Sequence, residues 1–231
     1  MKRFVSRRNL LKLGAGAVGT GVVTVGVGSE LVFPQKAVAK DEMTPEQALQ
    51  QLIDGNGRFV KRQRKNPNQT FTRLIEVAKG QKPFASILGC ADSRVPSEII
   101  FDQGFGDLFV CRVAGNIATP EETGSLEFGS VVLGSKVIMV LGHKRCGAVE
   151  ATVKGAQVPG QIATLLAAIK PGIESVKNQP GDKLENACKA NVASQIEKLK
   201  TSPLLSQLIA EKKLVLVGGY YDLDTGRVTL I

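Results

Sequence analysis

Four short apolar runs punctuate the chain. They are Phe84-Ala85-Ser86-Ile87-Leu88, Leu108 to Val113, Lys136 to Gly142 and Lys213 to Asp222. Runs of this length, rich in Val, Ile and Leu and without polar alternation, predict strands buried on both faces of a sheet. Between them the spacing is helical. Thr44-Pro45-Glu46-Gln47 predicts a helix start, with Thr44 as N-cap, Pro45 at the first helical position and Gln47 three residues on. Ala48, Leu49, Leu52 and Ile53 then give its apolar stripe. Further helices are predicted over Phe71 to Lys79, stopped by Gly80, and over Pro96 to Phe101, Glu122 to Leu133, Ala148 to Lys154, Gln161 to Ile169 and Leu184 to Leu199. A last one runs from Pro203 to Glu211 with Ser202 as its cap. Asp224-Thr225-Gly226 turns the fourth strand back into Arg227 to Ile231, a terminal hairpin. The pattern implies an α/β fold: a mostly parallel sheet flanked by helices, with an antiparallel C-terminal edge strand.

The beginning of the chain reads differently. Ser6-Arg7-Arg8-Asn9-Leu10-Leu11-Lys12 precedes a glycine-rich, weakly apolar run from Leu13 to Phe33, and Ala37-Val38-Ala39 follows. A charged head, an apolar middle and small residues at a cleavage point are the layout of a signal peptide, with cleavage expected after Ala39. The paired arginines resemble a twin-arginine export signal, which implies delivery to the periplasm, or to a thylakoid lumen in a photosynthetic organism. The membrane then matters only through this leader; the alternative is an uncleaved anchor. Gly14-Ala15-Gly16-Ala17-Val18-Gly19 matches the dinucleotide-binding fingerprint, but no strand precedes it, so it is assigned to the leader. One domain, residues 40–231, remains.

Charge changes little. The whole chain carries +9, but residues 1 to 39 hold six Lys or Arg against one Glu, and without them the net is +4. No polyanionic partner, and no nucleic acid, is needed to explain that value. The basic run Lys61-Arg62-Gln63-Arg64-Lys65 reads as a solvated helix face.

Chemistry concentrates where two of the strands end. Phe84–Leu88 leads into Gly89 and Cys90-Ala91-Asp92-Ser93-Arg94, and Lys136–Gly142 into His143-Lys144-Arg145-Cys146. In parallel sheets, sites form beyond the carboxyl ends of strands. His143 is the single histidine of the chain. Two thiolates and an imidazole suit a four-coordinate zinc ion with one position open, and Asp92 is close enough in sequence to be an exchangeable fourth ligand. Four cysteines could instead make two disulfides, yet a domain of this length needs no stapling. Cys111 and Cys188 are read as small packing groups.

The segment Gln81 to Arg94, then Pro96 to Asn116 and the turn from His143 to Gly147, resembles the β-class carbonic anhydrases, whose pattern is Cys-x-Asp-Ser-Arg followed by His-x-x-Cys. The resemblance runs from about Pro45 onward. It implies Zn2+ held by Cys90, His143 and Cys146 and an Asp92–Arg94 catalytic dyad. It also implies carbon dioxide and bicarbonate as substrate and product, and a homodimer or larger homo-oligomer in which N-terminal helices pack across the partner. Zinc would acidify a bound water for attack on carbon dioxide. Gln81 and Gly147 are the expected substrate-binding residues, Gln81 through its amide. Some members swing the Asp onto zinc and close the site. Their allosteric bicarbonate pocket uses a Trp, and this chain has none. Phe128 falls near a substrate-channel aromatic, while Phe101 and Val95 are read as core. The alternatives kept open are hydrolysis of carbonyl sulfide or carbon disulfide by the same ligands, and a non-catalytic zinc-stabilised scaffold.

Overall fold

The computed structural model describes residues 43–231. The expected leader, its paired arginines and the expected boundary at residue 40 lie outside the described residues. Among the described residues, no helix is long and apolar enough to cross a membrane.

Five strands form one sheet in the order β2-β1-β3-β4-β5: β1 (Ala85–Gly89), β2 (Leu108–Arg112), β3 (Val137–His143), β4 (Val215–Tyr221) and β5 (Val228–Leu230). The first four are mutually parallel and β5 runs antiparallel to β4. The predicted hairpin and edge strand are therefore present. Every residue of β1 and β3 is buried, as uninterrupted apolar runs require when helices cover both faces.

Side chains alternate between two cores. Ala85, Ile87, Val137, Met139 and Leu141 pack on one face with Ala48 and Leu52 of helix α1 (Pro45–Val60). Leu88, Ile138 and Val140 pack on the other with Val192 and Leu199 of the long helix α7 (Lys183–Lys200) and Leu205 of α8 (Pro203–Ala210). The remaining helices are α2 (Phe71–Val77), α3 (Ser97–Ile100), α4 (Pro120–Glu127), α5 (Gly147–Val153) and α6 (Ile162–Glu174).

Helix α1 starts as predicted. Thr44 Oγ1 accepts from the Gln47 N–H at 3.2 Å and Gln47 Oε1 accepts from the Thr44 N–H at 2.8 Å, a complete capping box. Gly55 lets this helix meet α3, since a Cβ there would lie 1.8 Å from the Phe101 carbonyl oxygen. Asn56, one residue on and buried, joins three segments. Its Nδ2 donates to Ile100 O (3.2 Å) and Gly226 O (2.9 Å), and its Oδ1 accepts from Val228 N (2.8 Å). Asn56→Ala leaves all three partners short of a bond, so it should destabilise the fold by about 3 kcal/mol, read as a lower denaturant midpoint at unchanged slope.

Three sequence expectations change. The basic run Lys61 to Lys65 is exposed, but it leaves the helix at Val60 and forms a turn. Buried Asp102 pins that turn by accepting from Arg58 Nε (2.6 Å), Lys65 N (3.0 Å) and Asn66 N (2.9 Å). The helix expected over Glu122 to Leu133 is α-helical only to Glu127, and Phe128–Val132 widens into a π-helical turn. Gly129 faces Ser86 of β1 there, with no room for a side chain, and the widened turn keeps the backbone bonded, Leu133 N donating to Phe128 O at 3.1 Å. Helix α6 continues to Glu174 across Pro171. Ile169 and Gly172 are buried, and Gly172 lies against Asn191 and Ser194 of α7, so packing outweighs the missing proline donor.

Candidate metal centre

The register sets the site. β1 and β3 are hydrogen-bonded neighbours with Gly89 opposite Leu141, so Cys90 and His143 emerge at the same edge of the sheet. Arg145 stands at φ +54°, a left-handed residue that reverses the chain between His143 and Cys146. Cys146 is then the N-cap residue of α5.

Those turns bring Cys90, His143 and Cys146 together, all buried, with their ligand atoms within 4.8 Å of one another. The two sulfurs are 4.0 Å apart. His143 Nδ1 lies 3.0 Å from Lys144 O. A carbonyl can only accept, so Nδ1 carries the proton and Nε2 keeps its lone pair. That Nε2 is buried and has no hydrogen-bond partner. Two sulfurs and an orphaned imidazole nitrogen converging in a buried corner are a donor set that zinc satisfies.

The sulfurs are electrostatically unequal. The Cys146 thiol bonding to Cys90 is the main influence holding Cys90 well below the usual thiol range, aided by the Gly115 N–H, whose nitrogen is 3.3 Å from the sulfur. The same bond and burial push Cys146 up. Burial is the main cause that pushes Cys188 up to about 12 and raises Cys111, with nearby negative charge adding to it, and all four cysteines are free thiols, in keeping with packing roles for Cys111 and Cys188.

Asp92 and Arg94 form a bidentate pair beside the cluster. Arg94 Nε donates to Oδ1 at 2.9 Å and Nη2 to Oδ2 at 2.7 Å, while the Arg94 N–H also donates to Oδ1 at 2.9 Å. These bonds hold the Asp92 carboxyl at about 2, well below its usual value. Asp92 Oδ2 is 3.9 Å from His143 Nε2. Arg94 Nη2 also donates to Arg145 O at 3.3 Å, tying the dyad to the second loop.

Several participants were not singled out in the sequence. Arg112, opposite Gly89 in the register, donates to Cys90 O (3.0 Å) and Asp92 O (2.5 Å) and braces the first loop. Asp224 at the hairpin tip binds Arg145 Nη1 (2.9 Å) and Nη2 (2.5 Å) and Lys144 Nζ (2.9 Å), bracing the second. Parallel register would have exposed Arg112; Asp224 carries no signal beyond its place in a turn. Val95 and Phe101 are buried in the core, as expected. Phe128 is half exposed beside Phe109, with ring centroids 6.3 Å apart. Gln81 is exposed before β1, at the opposite end of that strand from Cys90, and Gly147 is exposed at the head of α5. A surface groove of about 720 Å³ between α7 and the β4–β5 edge shares no residue with the cluster. Ligand chemistry, not cavity size, marks the site.

Fold and site together define a parallel α/β protein with a sulfur–imidazole metal centre at its strand ends. The profile of the carbonic anhydrase family matches residues 85–228. Carbonic anhydrase 2 of Mycobacterium tuberculosis is 37% identical over 191 residues, covering 80% of this chain and 92% of the relative. The carbonic anhydrase of Mycolicibacterium smegmatis is 36% identical over 191 residues, covering 80% and 93%. A tetrameric β-carbonic anhydrase from Sordaria macrospora superposes with a TM-score of 0.65 at 28% identity, covering 68% of this chain and 85% of that one. The chain belongs to the β-carbonic anhydrase family.

Proposed function

We propose that this enzyme catalyses the reversible hydration of carbon dioxide to bicarbonate and a proton at a zinc ion held by Cys90, His143 and Cys146. The observation that carries the reading is the three-ligand cluster beside an ionised Asp92 that Arg94 holds in place. Zinc, when bound, supplies Lewis acidity that makes a neutral-pH nucleophile of water.

The rest is the work of the chain. Asp92, kept ionised by Arg94, accepts the proton of the attacking water. Arg94 also orients the carboxylate, leaving Oδ2 nearest His143. To serve as a fourth ligand, Asp92 would have to give up both side-chain bonds to Arg94; the open arrangement is therefore the working one. Gly147 stands exposed beside Cys146 at the head of α5, with open space around it from which substrate can approach. A closed structural site has no use for a proton acceptor, which disfavours the scaffold alternative.

Gln81 reaches substrate only across a subunit boundary, because in its own chain β1 separates it from Cys90. Phe71, Leu74 and Ile75 of α2 and Phe105, Phe128, Val131 and Val132 are exposed apolar groups bordering the β2 edge. Arg73 Nε bonded to Phe105 O and the Phe109–Phe128 contact make them continuous. A second copy covers this face and brings its own Gln81 to the site. The tetramer named for the Sordaria macrospora enzymes supports such assembly. A monomer in sedimentation would end this part of the reading.

Export through the twin-arginine leader completes the proposal. An intact residue 1 on protein recovered from the producing cells, with no extracytoplasmic fraction, would refute it. The central experiment is stopped-flow carbon dioxide hydration with zinc quantified, run beside carbonyl sulfide and carbon disulfide. Turnover of carbon dioxide is expected; a fully zinc-loaded protein with no hydration above buffer would overturn the reading, and turnover of the sulfur substrates alone would replace it.

A further inference from the structure

One helix stands behind all three ligand segments. Cys188, Asn191, Val192 and Gln195 of α7 lie on a single buried face, each at most 2% exposed. Polar side chains seldom occupy such a face without a task.

Asn191 and Gln195 serve the loop behind Cys90. Asn191 Nδ2 donates to Gly115 O at 2.8 Å, Gln195 Nε2 donates to Asn191 Oδ1 at 3.1 Å and to Ala168 O at 3.3 Å, and Gln195 Oε1 accepts from Ala118 N at 2.9 Å. The two amides thus clamp both ends of the Gly115–Ala118 segment. That segment has an unusual backbone, with Gly115 at φ +78° and Asn116 at +45°. It needs an external hold, and Gly115 has no freedom to gain a side chain, since a Cβ would lie 2.5 Å from Ile169 Cδ1. The Gly115 N–H, on the other side of the same residue, donates to the Cys90 sulfur.

The same helix meets the other loop. Cys188 packs in the same buried cluster as Cys146. Val192 lies so close to β3 that a Cβ on Gly142, the residue before His143, would be 2.5 Å from its Cγ2.

We infer that Asn191, backed by Gln195, is a positioning residue for the metal centre: by holding the Gly115 carbonyl it fixes the backbone of that residue, so that the Gly115 N–H, in the preceding peptide unit, stays aimed at the Cys90 thiolate and stabilises the charge that binds the ion. The inference rests on the zinc reading given above. Partners of this kind that touch a ligand without touching the metal typically set affinity by about 10- to 100-fold. A hydrogen bond to a thiolate also withdraws charge from it, so its loss should alter sulfur-to-metal charge transfer.

The test compares full-length wild type, Asn191→Leu, Gln195→Met and Leu199→Ala. Leu199→Ala loosens the same helix, two turns from Asn191 and one turn from Gln195, without removing any of the amides' hydrogen bonds. Zinc affinity is read by chelator competition, the thiolate–metal interaction by the charge-transfer absorption of the cobalt(II)-substituted protein, and stability by melting of the zinc-loaded form. Asn191→Leu is expected to weaken zinc by roughly tenfold or more and to shift the cobalt band, Gln195→Met to do so less, and Leu199→Ala to lower the melting temperature with both metal readouts unchanged. If Asn191→Leu and Leu199→Ala change zinc affinity alike, or if the cobalt band does not move, the amides merely pack the helix and the inference fails. If Asn191→Leu does not fold, Gln195→Met decides by the same two readouts; if neither folds while Leu199→Ala does, the amides serve folding and the inference is overturned. A wild type that binds no zinc would instead defeat the zinc reading itself.

Discussion

Replacing Cys146 by Ser is expected to abolish carbon dioxide hydration while leaving the fold intact. Cys146 occupies the N-cap of α5 without a side-chain cap bond, and serine is among the best residues for that position. The substitution therefore removes a metal donor at a point where local structure tolerates it. Hydroxyl is a far poorer donor than thiolate, so zinc affinity should fall beyond the ~100-fold upper range for residues that only support a ligand. Metal analysis after dialysis should find substoichiometric zinc, with far-ultraviolet circular dichroism unchanged and turnover at buffer level. A variant that keeps one zinc per chain and works would remove Cys146 from the site.

The second large effect belongs to the dyad. Asp92→Asn keeps shape but cannot accept a proton, and kcat should fall by about 10²- to 10⁴-fold with zinc retained. Arg94→Gln tests the electrostatics by sign. Arg94 holds Asp92 at about 2, so in the wild type the carboxylate stays ionised above that pH. Without the guanidinium its value rises toward the ordinary ~4 for an aspartate. The base is then lost by protonation at higher pH, and the acid limb of the kcat profile should move upward. A limb that moves down or stays still would mean that Asp92 is not the group being titrated.

Much of this was legible beforehand because it is local. Unbroken apolar runs announced the buried strands, Thr44-Pro45-Glu46-Gln47 announced α1, and strand-end cysteines with the single histidine announced the metal cluster. What escaped depends on tertiary contact. Gly129 and Gly172 carry no periodic signal, yet at both the bare backbone seats one element against another. The helix expected to end at Ile169 runs on through Pro171, where Gly172 is seated against α7. Asn191 and Gln195 drew no notice in the sequence, because nothing in one-dimensional spacing tells an amide facing water from an amide facing a buried carbonyl. Gln81 could be flagged only by resemblance, since it stands exposed before β1, at the end of that strand away from Cys90.

The pairing of β1 with β3 has a consequence for how this protein can vary. Ligand separation is inherited from the fixed pitch between adjoining strands, and strand pairing comes only in whole-residue steps of ~3.3 Å. A slip of one step would carry Cys90 off its partners and turn the core of β1 inside out at once. Residues that never see the ion, such as Gly89 and Leu141, are thereby bound to its chemistry: drift in the sheet's interior is policed by the site, and drift in the site by the interior.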